Sequence, residues 1–219
     1  MTDFYSECVK HYVSVDCVIF ALHEGKLRLL LIRRDYEPMK GQWSLIGGFV
    51  EATESIESSA QRVLKNLTGL ENVYMMQVGA FGAVDRDPVA RVISIAYAAL
   101  LNFSDIDNQI MSDYDAHWFD VNELPPIIRD HKAIVDRALS EIRKNFRTSS
   151  MPYALLPELF TLTQLQKLYE NVLGMEIDKR NFRRRILEDH HVQPTDKIDK
   201  QSSRRGARLY KYVGEIKSV

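Results

Sequence analysis

Gly48-Phe49-Val50-Glu51-Ala52-Thr53-Glu54, continued by Gln61-Arg62-Val63-Leu64-Lys65-Asn66-Leu67 and closed by Thr68-Gly69-Leu70, is the stretch that decides the fold. Residues 54–67 read as one helix, stopped by Gly69, the residue type that most readily takes the left-handed conformation at a helix end. Helical residues turn by about 100° each, so positions 56, 60, 63 and 67 share a face. They hold Ile56, Ala60, Val63 and Leu67, with Asn66 beside them. Valine and leucine cannot ligate a hard cation, and Asn66 offers only a neutral oxygen. Glu51, Glu54 and Glu57 gather near the helix start, where they either complement the positive end of the helix dipole or form a residual metal site.

Outward from this helix the chain is rich in strands. Residues 12–21 form a near-continuous apolar run of the kind found in a strand covered on both faces. Glu24-Gly25-Lys26 is a turn and residues 27–32 the return strand. Residues 41–50 hold another strand ending at Gly47-Gly48, and residues 75–83 and 91–101 are joined through Asp85-Arg86-Asp87-Pro88. A short strand over 117–120 and a helix over about 130–145 complete the body.

The box resembles that of Nudix hydrolases: a glycine, a glutamate six residues on, and an arginine opening an Arg-Glu-apolar-x-Glu-Glu-x-Gly run. Gly48, Glu54, Arg62, Leu64, Gly69 and Leu70 fall in register, while Val63, Asn66 and Leu67 stand where three metal-binding glutamates belong. The segment His117-Trp118-Phe119-Asp120, with Glu123-Leu124-Pro125 and Asp130-His131, is similar to the end of many such domains. The resemblance covers about residues 10–147 and implies a mixed-sheet α/β/α sandwich. In that family divalent cations neutralise phosphates and activate water. A frame without those carboxylates implies binding rather than cleavage, with no catalytic residue, metal or cofactor.

The bulk properties are those of a soluble globular chain: 45% hydrophobic and 27% charged residues, net charge −1. No apolar run approaches the roughly 18 residues of a membrane span. Residues 1–7 lack the basic and apolar regions of a signal peptide, so the expectation is a cytoplasmic protein without a membrane partner. Cys8 and Cys17 have no metal or redox spacing, and His190-His191 has no partner at ligand spacing. The small net charge hides an asymmetry. Residues 1–156 hold 16 Lys/Arg and 21 Asp/Glu, a net of −5, whereas residues 157–219 hold 13 and 9, a net of +4. A polyanionic partner is therefore expected at the tail, not at the body.

The tail has its own pattern. Thr148-Ser149-Ser150-Met151-Pro152 reads as a linker. Apolar residues at 162, 165, 168, 169, 172 and 173 make a helical stripe, with Thr163 and Gln166 as a capping box and Gly174 as the stop. Asp178 caps a second helix from Lys179 to about residue 189. Two short helices so joined form a helix-turn-helix, and residues 192–197 and 207–213 around a polar turn form a wing. With Phe182 and Ile186 inward, Asn181, Arg184 and Arg185 face outward, and Lys179 and Arg180 sit at the helix start. Arginine and asparagine read guanine and adenine in the major groove, so these five residues are candidate DNA contacts. Arg204, Arg205, Arg208 and Lys211 of the wing suit phosphate or minor-groove contact.

The whole chain from about 10 to 213 is similar to the Nudix-related transcriptional regulators. The similarity lies in Phe160-Thr161-Leu162-Thr163-Gln164-Leu165, in Asp178-Lys179-Arg180-Asn181-Phe182-Arg183-Arg184-Arg185, and in Arg208-Leu209-Tyr210-Lys211. It implies an α+β chain: a Nudix-like effector domain over 1–148, a linker over 149–156 and a winged helix over 157–219. It also implies a homodimer on a palindromic double-stranded operator, controlled by a small molecule. Some members sense ADP-ribose and one branch senses L-arabinose. A neutral pentose needs hydroxyl partners and an aromatic platform, for which Trp43, Phe81, Glu51 and Asp85 are candidates, with Arg34, Gly47 and Gly48 beside them. ADP-ribose needs positive charge, which Arg33, Arg34, Arg62 or Arg86 could supply. The apolar metal face turns the expectation towards the sugar, with an ADP-ribose-responsive regulator or an active hydrolase carrying a nucleic-acid-binding tail as alternatives. A tail that docks another protein is a third reading.

Overall fold

The computed structural model describes residues 7–23, 25–71, 73–102, 115–200 and 206–214. Its seven body strands form one mixed sheet: β1 (Tyr12–His23), β2 (Lys26–Arg33), β3 (Trp43–Ser44), β4 (Ile46–Phe49), β5 (Met76–Phe81), β6 (Val92–Asn102) and β7 (Ala116–Asp120). The order is β3-β2-β1-β6-β5, with β4 on β1 and β7 on β2. Only β1 and β6 run parallel among these pairs, from Tyr12 opposite Val92 to Leu22 opposite Asn102. The strand expected over 41–50 is divided because the chain changes neighbour: β3 pairs with β2, and β4 with β1.

Helix α1 (Ile56–Thr68) covers one face of the sheet and α2 (His131–Thr148) the other. Side chains alternate along a strand. Val15, Cys17, Ile19 and Ala21 accordingly meet Ala60, Val63 and Leu64 of α1. Val18 and Phe20 share the opposite cluster with Ile134, Val135, Ala138 and Ile142 of α2. Coverage on both sides is why β1 reads as a near-continuous apolar run, interrupted by Ser14 and Asp16.

The second cluster continues without a break into the tail, through Phe146 to Phe160, Leu165, Tyr169, Phe182 and Ile186. There α4 (Leu162–Leu173) and α5 (Lys179–Glu188) form the helix pair, and β8 (Val192–Asp199) with β9 (Ala207–Tyr212) forms the wing. Phe160 joins the wing edge through reciprocal backbone hydrogen bonds with Tyr210, at 3.0 and 2.8 Å.

Three local expectations need correction. Residues 151–154, expected as linker, form a short helix α3 (Met151–Ala154) whose Tyr153 is buried and stacks on Tyr212 at 4.0 Å. The Ser-rich run misleads because Ser149 caps instead of loosening the chain: its hydroxyl donates to Asn145 O at 2.7 Å and accepts from Met151 N at 3.2 Å. The capping box of α4 is Thr161 with Gln164, not Thr163 with Gln166. Gln166 instead donates to Glu170 and to Ile177 O, closing the turn before α5. Finally, α1 starts at Ile56 behind Ser55 as N-cap, because Glu54 turns back to Arg62.

Candidate functional site

The box forms a rigid corner. Arg62 grips both carboxylate oxygens of Glu54 at 2.8 and 2.6 Å and donates to Phe49 O at 3.0 Å. Glu54 also accepts from the Glu51 amide at 2.8 Å. The Arg62 hydrogen bonds, followed by that amide, pull the Glu54 pKa down to about 2. Glu51 lies 3.6 Å from Arg62, and Glu57 meets the Tyr97 hydroxyl at 3.4 Å. Glu54 is thus engaged in holding the corner, whereas Glu51 and Glu57 are exposed. Val63 is only 3% exposed and faces Gly48, where an added Cβ would stand 2.8 Å from the valine Cγ2. Asn66 is exposed at the surface of α1. Among the described residues no three His, Cys, Asp or Glu side chains group as a metal site would require.

Beside this corner, on the α2 side of the sheet, an open cavity of about 500 Å³ is lined by Tyr12, Asp16, Arg34, Gly47, Arg86 and His131, among others. Its floor is polar. Arg86 holds Asp130 through Nε at 2.9 Å and Nη2 at 3.2 Å, and the same Nη2 reaches Asp16 at 3.2 Å. Ser94 donates to Asp16 at 2.5 Å. Burial opposes the Arg86 charge, but the hydrogen bond and attraction from Asp130, with those from Asp16, outweigh it and raise the pKa. His131 Nδ1 lies 3.1 Å from the Leu45 amide. An amide can only donate, so Nδ1 accepts and the neutral ring carries its proton on Nε2, which lies 3.8 Å from Asp16. Burial lowers the His131 pKa, despite the pull of Asp16 and Asp130, and favours that neutral form.

Of the effector candidates, the structure brings Arg34, Gly47 and Gly48 to the cavity, and Arg86 with them. It does not bring Trp43, Glu51, Phe81 or Asp85 there. Trp43 packs edge-on against Phe119 at 4.8 Å under the Arg33 guanidinium. Phe81 packs against the core cluster shared with α2, and Asp85 is exposed. The sequence reading missed Asp16, Asp130 and His131. A signal existed for Asp16: a lone carboxylate inside a buried apolar strand must be paired, and such pairs gather at functional sites.

In the tail, Lys179, Arg180, Asn181, Arg184 and Arg185 are all exposed on α5, as are Arg208 and Lys211 on β9. Phe182 and Ile186 face inward as the helical wheel requires. Arg184 reaches Asn181 Oδ1 at 3.4 Å, so the two share one outer face. Arg185 instead lines a cleft between α5 and the end of α2, with Arg147 opposite. Arg183, half buried, ties α5 to Thr163 of α4 at 3.3 Å. Arg204 and Arg205 lie outside the described residues.

Residues 10–139 match the NUDIX domain family, and residues 152–212 match the NrtR DNA-binding winged helix domain. The chain belongs to the Nudix-related transcriptional regulators. The ADPR responsive transcriptional repressor NtrR of Acinetobacter baylyi is 35% identical to this regulator over 205 residues, 92% of this chain and 82% of the relative. The crystal structure of Shewanella oneidensis NrtR complexed with a 27mer DNA has a TM-score of 0.78 at 30% identity, covering 92% of this chain and 93% of that one. The ADP-ribose pyrophosphatase of Methanocaldococcus jannaschii is 36% identical over 126 residues, 56% of this chain and 70% of the relative. The regulator therefore shares its sensor fold with hydrolases, and its complete two-domain arrangement with DNA-binding relatives. No described helix is long and apolar enough to cross a membrane.

Proposed function

We propose that this regulator binds double-stranded operator DNA through α5 and the wing, and that its sensor takes ADP-ribose, or a compound of similar size and diphosphate chemistry, without hydrolysing it. The cavity volume carries the choice of effector. A pentose of about ten heavy atoms fills a small part of 500 Å³, whereas cavities of roughly 300–1,000 Å³ suit larger ligands. Arg34, Arg86 and Arg129 line that cavity beside Asp16, Glu37 and Asp87, and a guanidinium there offers an anionic group the bidentate contact that a neutral pentose does not use. Size, with guanidinium groups at hand, thus turns the reading from L-arabinose to ADP-ribose, in keeping with the name of the Acinetobacter relative. The buried Val63, an apolar side chain where the box carries a glutamate, supports binding without cleavage. A homodimer on a two-fold operator belongs to the same reading.

A thermal-shift panel of ADP-ribose, NAD and L-arabinose tests it. A ligand at 100 times its Kd stabilises the folded state by about 2.7 kcal/mol. ADP-ribose should raise the melting temperature and L-arabinose should not. The reverse pattern refutes the effector assignment. Steady cleavage of ADP-ribose with magnesium or manganese, on the order of 1 s⁻¹ or faster, refutes the non-enzymatic reading.

A further inference from the structure

We infer that the grip of Arg86 on Asp130 is the device by which an occupied cavity reports to the winged helix; the inference rests on the effector reading above. Arg86 belongs to two places at once. It lines the cavity, and it holds both carboxylate oxygens of Asp130, at 2.9 and 3.2 Å. Asp130 is the N-cap residue of α2, yet its side chain makes no capping hydrogen bond. An N-cap aspartate normally accepts from the second or third amide of its helix, here Lys132 or Ala133. The carboxylate is instead committed to Arg86, so it has two alternative partners: the guanidinium and the first turn of α2.

A diphosphate in the cavity competes for the same guanidinium, and arginine binds phosphate in the bidentate geometry it uses for carboxylate. Arg86 engaged by the ligand releases Asp130, whose free carboxylate then caps α2. The helix is well placed to carry the change. Its 18 residues extend about 27 Å at 1.5 Å per residue. Its far end is built into the winged helix: Phe146 is fully buried, 4.9 Å from the Tyr169 ring, and Arg143 Nε donates to Val172 O at 3.0 Å. Tyr169 in turn meets the Phe182 ring of α5 at 5.3 Å. A two-position carboxylate thus stands at one end of a rigid helix, and the helix bearing Asn181 and Arg184 packs at the other. A switch of this kind works only if the effector favours one position over the other.

Asp130→Asn separates the two positions, because asparagine caps as well as aspartate but has no charge for Arg86. The affinity of ADP-ribose is measured by calorimetry with and without a duplex selected from a random library. Wild type should show a ratio between the two affinities within the usual 5–150-fold range of coupling. In Asp130→Asn the ratio should fall towards one, and its duplex affinity should equal that of ADP-ribose-saturated wild type. A variant that keeps the wild-type ratio overturns the relay while leaving the effector reading intact. Wild type that binds no ADP-ribose overturns the effector reading, and the relay with it. Amide hydrogen exchange on wild type alone gives an independent result should the variant not fold. Saturating ADP-ribose should increase protection at Lys132 or Ala133, and unchanged protection there overturns the relay.

Discussion

Replacing Val63 by glutamate restores one carboxylate of the box and tests whether this seat is closed. Val63 is 3% exposed, and its Cγ2 occupies the space over Gly48. The change removes a buried apolar side chain worth about 1.5–3 kcal/mol. It also places an ionisable group where water does not reach. A buried glutamate can have a pKa of about 8, against about 4.3 in the unfolded chain. Because the folded pKa is the higher one, the folded state binds the extra proton between these values, and stability falls as pH rises through that window. At about 1.4 kcal/mol per pH unit the added loss reaches about 5 kcal/mol by pH 8, comparable to the roughly 5–15 kcal/mol that holds a typical domain together. Urea unfolding of Val63→Glu and wild type at pH 5, 6, 7 and 8 measures the difference. The gap should widen steadily with pH. A gap that stays constant from pH 5 to 8 refutes the reasoning: the new carboxylate then reaches solvent, the seat over Gly48 is open, and the case for a closed cation face fails with it.

Phe146→Ala removes the fully buried ring that joins the α2 core to the winged helix, and should cost about 3–5 kcal/mol. Calorimetry should record a melting temperature lower by roughly 6–20 °C, and a shift under about 2 °C would show that the ring is not packed as described. Arg184→Ala with Asn181→Ala should relax operator discrimination by about 1–3 kcal/mol for each base no longer read, while sparing ADP-ribose binding. Unaltered discrimination in a duplex competition assay would move the reading face elsewhere. Glu54, drawn down to about 2 chiefly by Arg62, should stay ionised through pH 3. The stability that its pairing contributes is therefore fully present above the usual glutamate pKa and is lost as pH falls towards 2. A carboxyl-carbon NMR titration checks this, and a midpoint near 4 would argue against the Arg62 clamp.

The sequence determined the features whose causes are local. A stripe recurring with helical period and a terminal Gly174 were enough to place α4 and its end at Leu173, though not its N-cap, because a helix is defined by interactions three and four residues apart and by its own ends. The inward placing of Phe182 and Ile186 followed from the same geometry. The near-continuous apolar run in β1 pointed to a strand buried on both faces, because a strand covered on each side needs apolar residues at successive positions. Only the tertiary structure decided what meets across the fold. Asp16 on β1, Arg86 in the loop after β5, and Asp130 and His131 at the head of α2 are separated by up to 115 positions, and no periodicity links them. The parallel pairing of β1 with β6 and the docking of α2 on the sheet bring Asp16, Arg86 and His131 to one cavity, with Asp130 held by Arg86. Trp43, an equally good sugar platform by residue type, is half-buried against the core by its place on β3, away from the cavity. Side-chain chemistry is written in the sequence, but the direction in which a side chain points depends on which strand lies beside it.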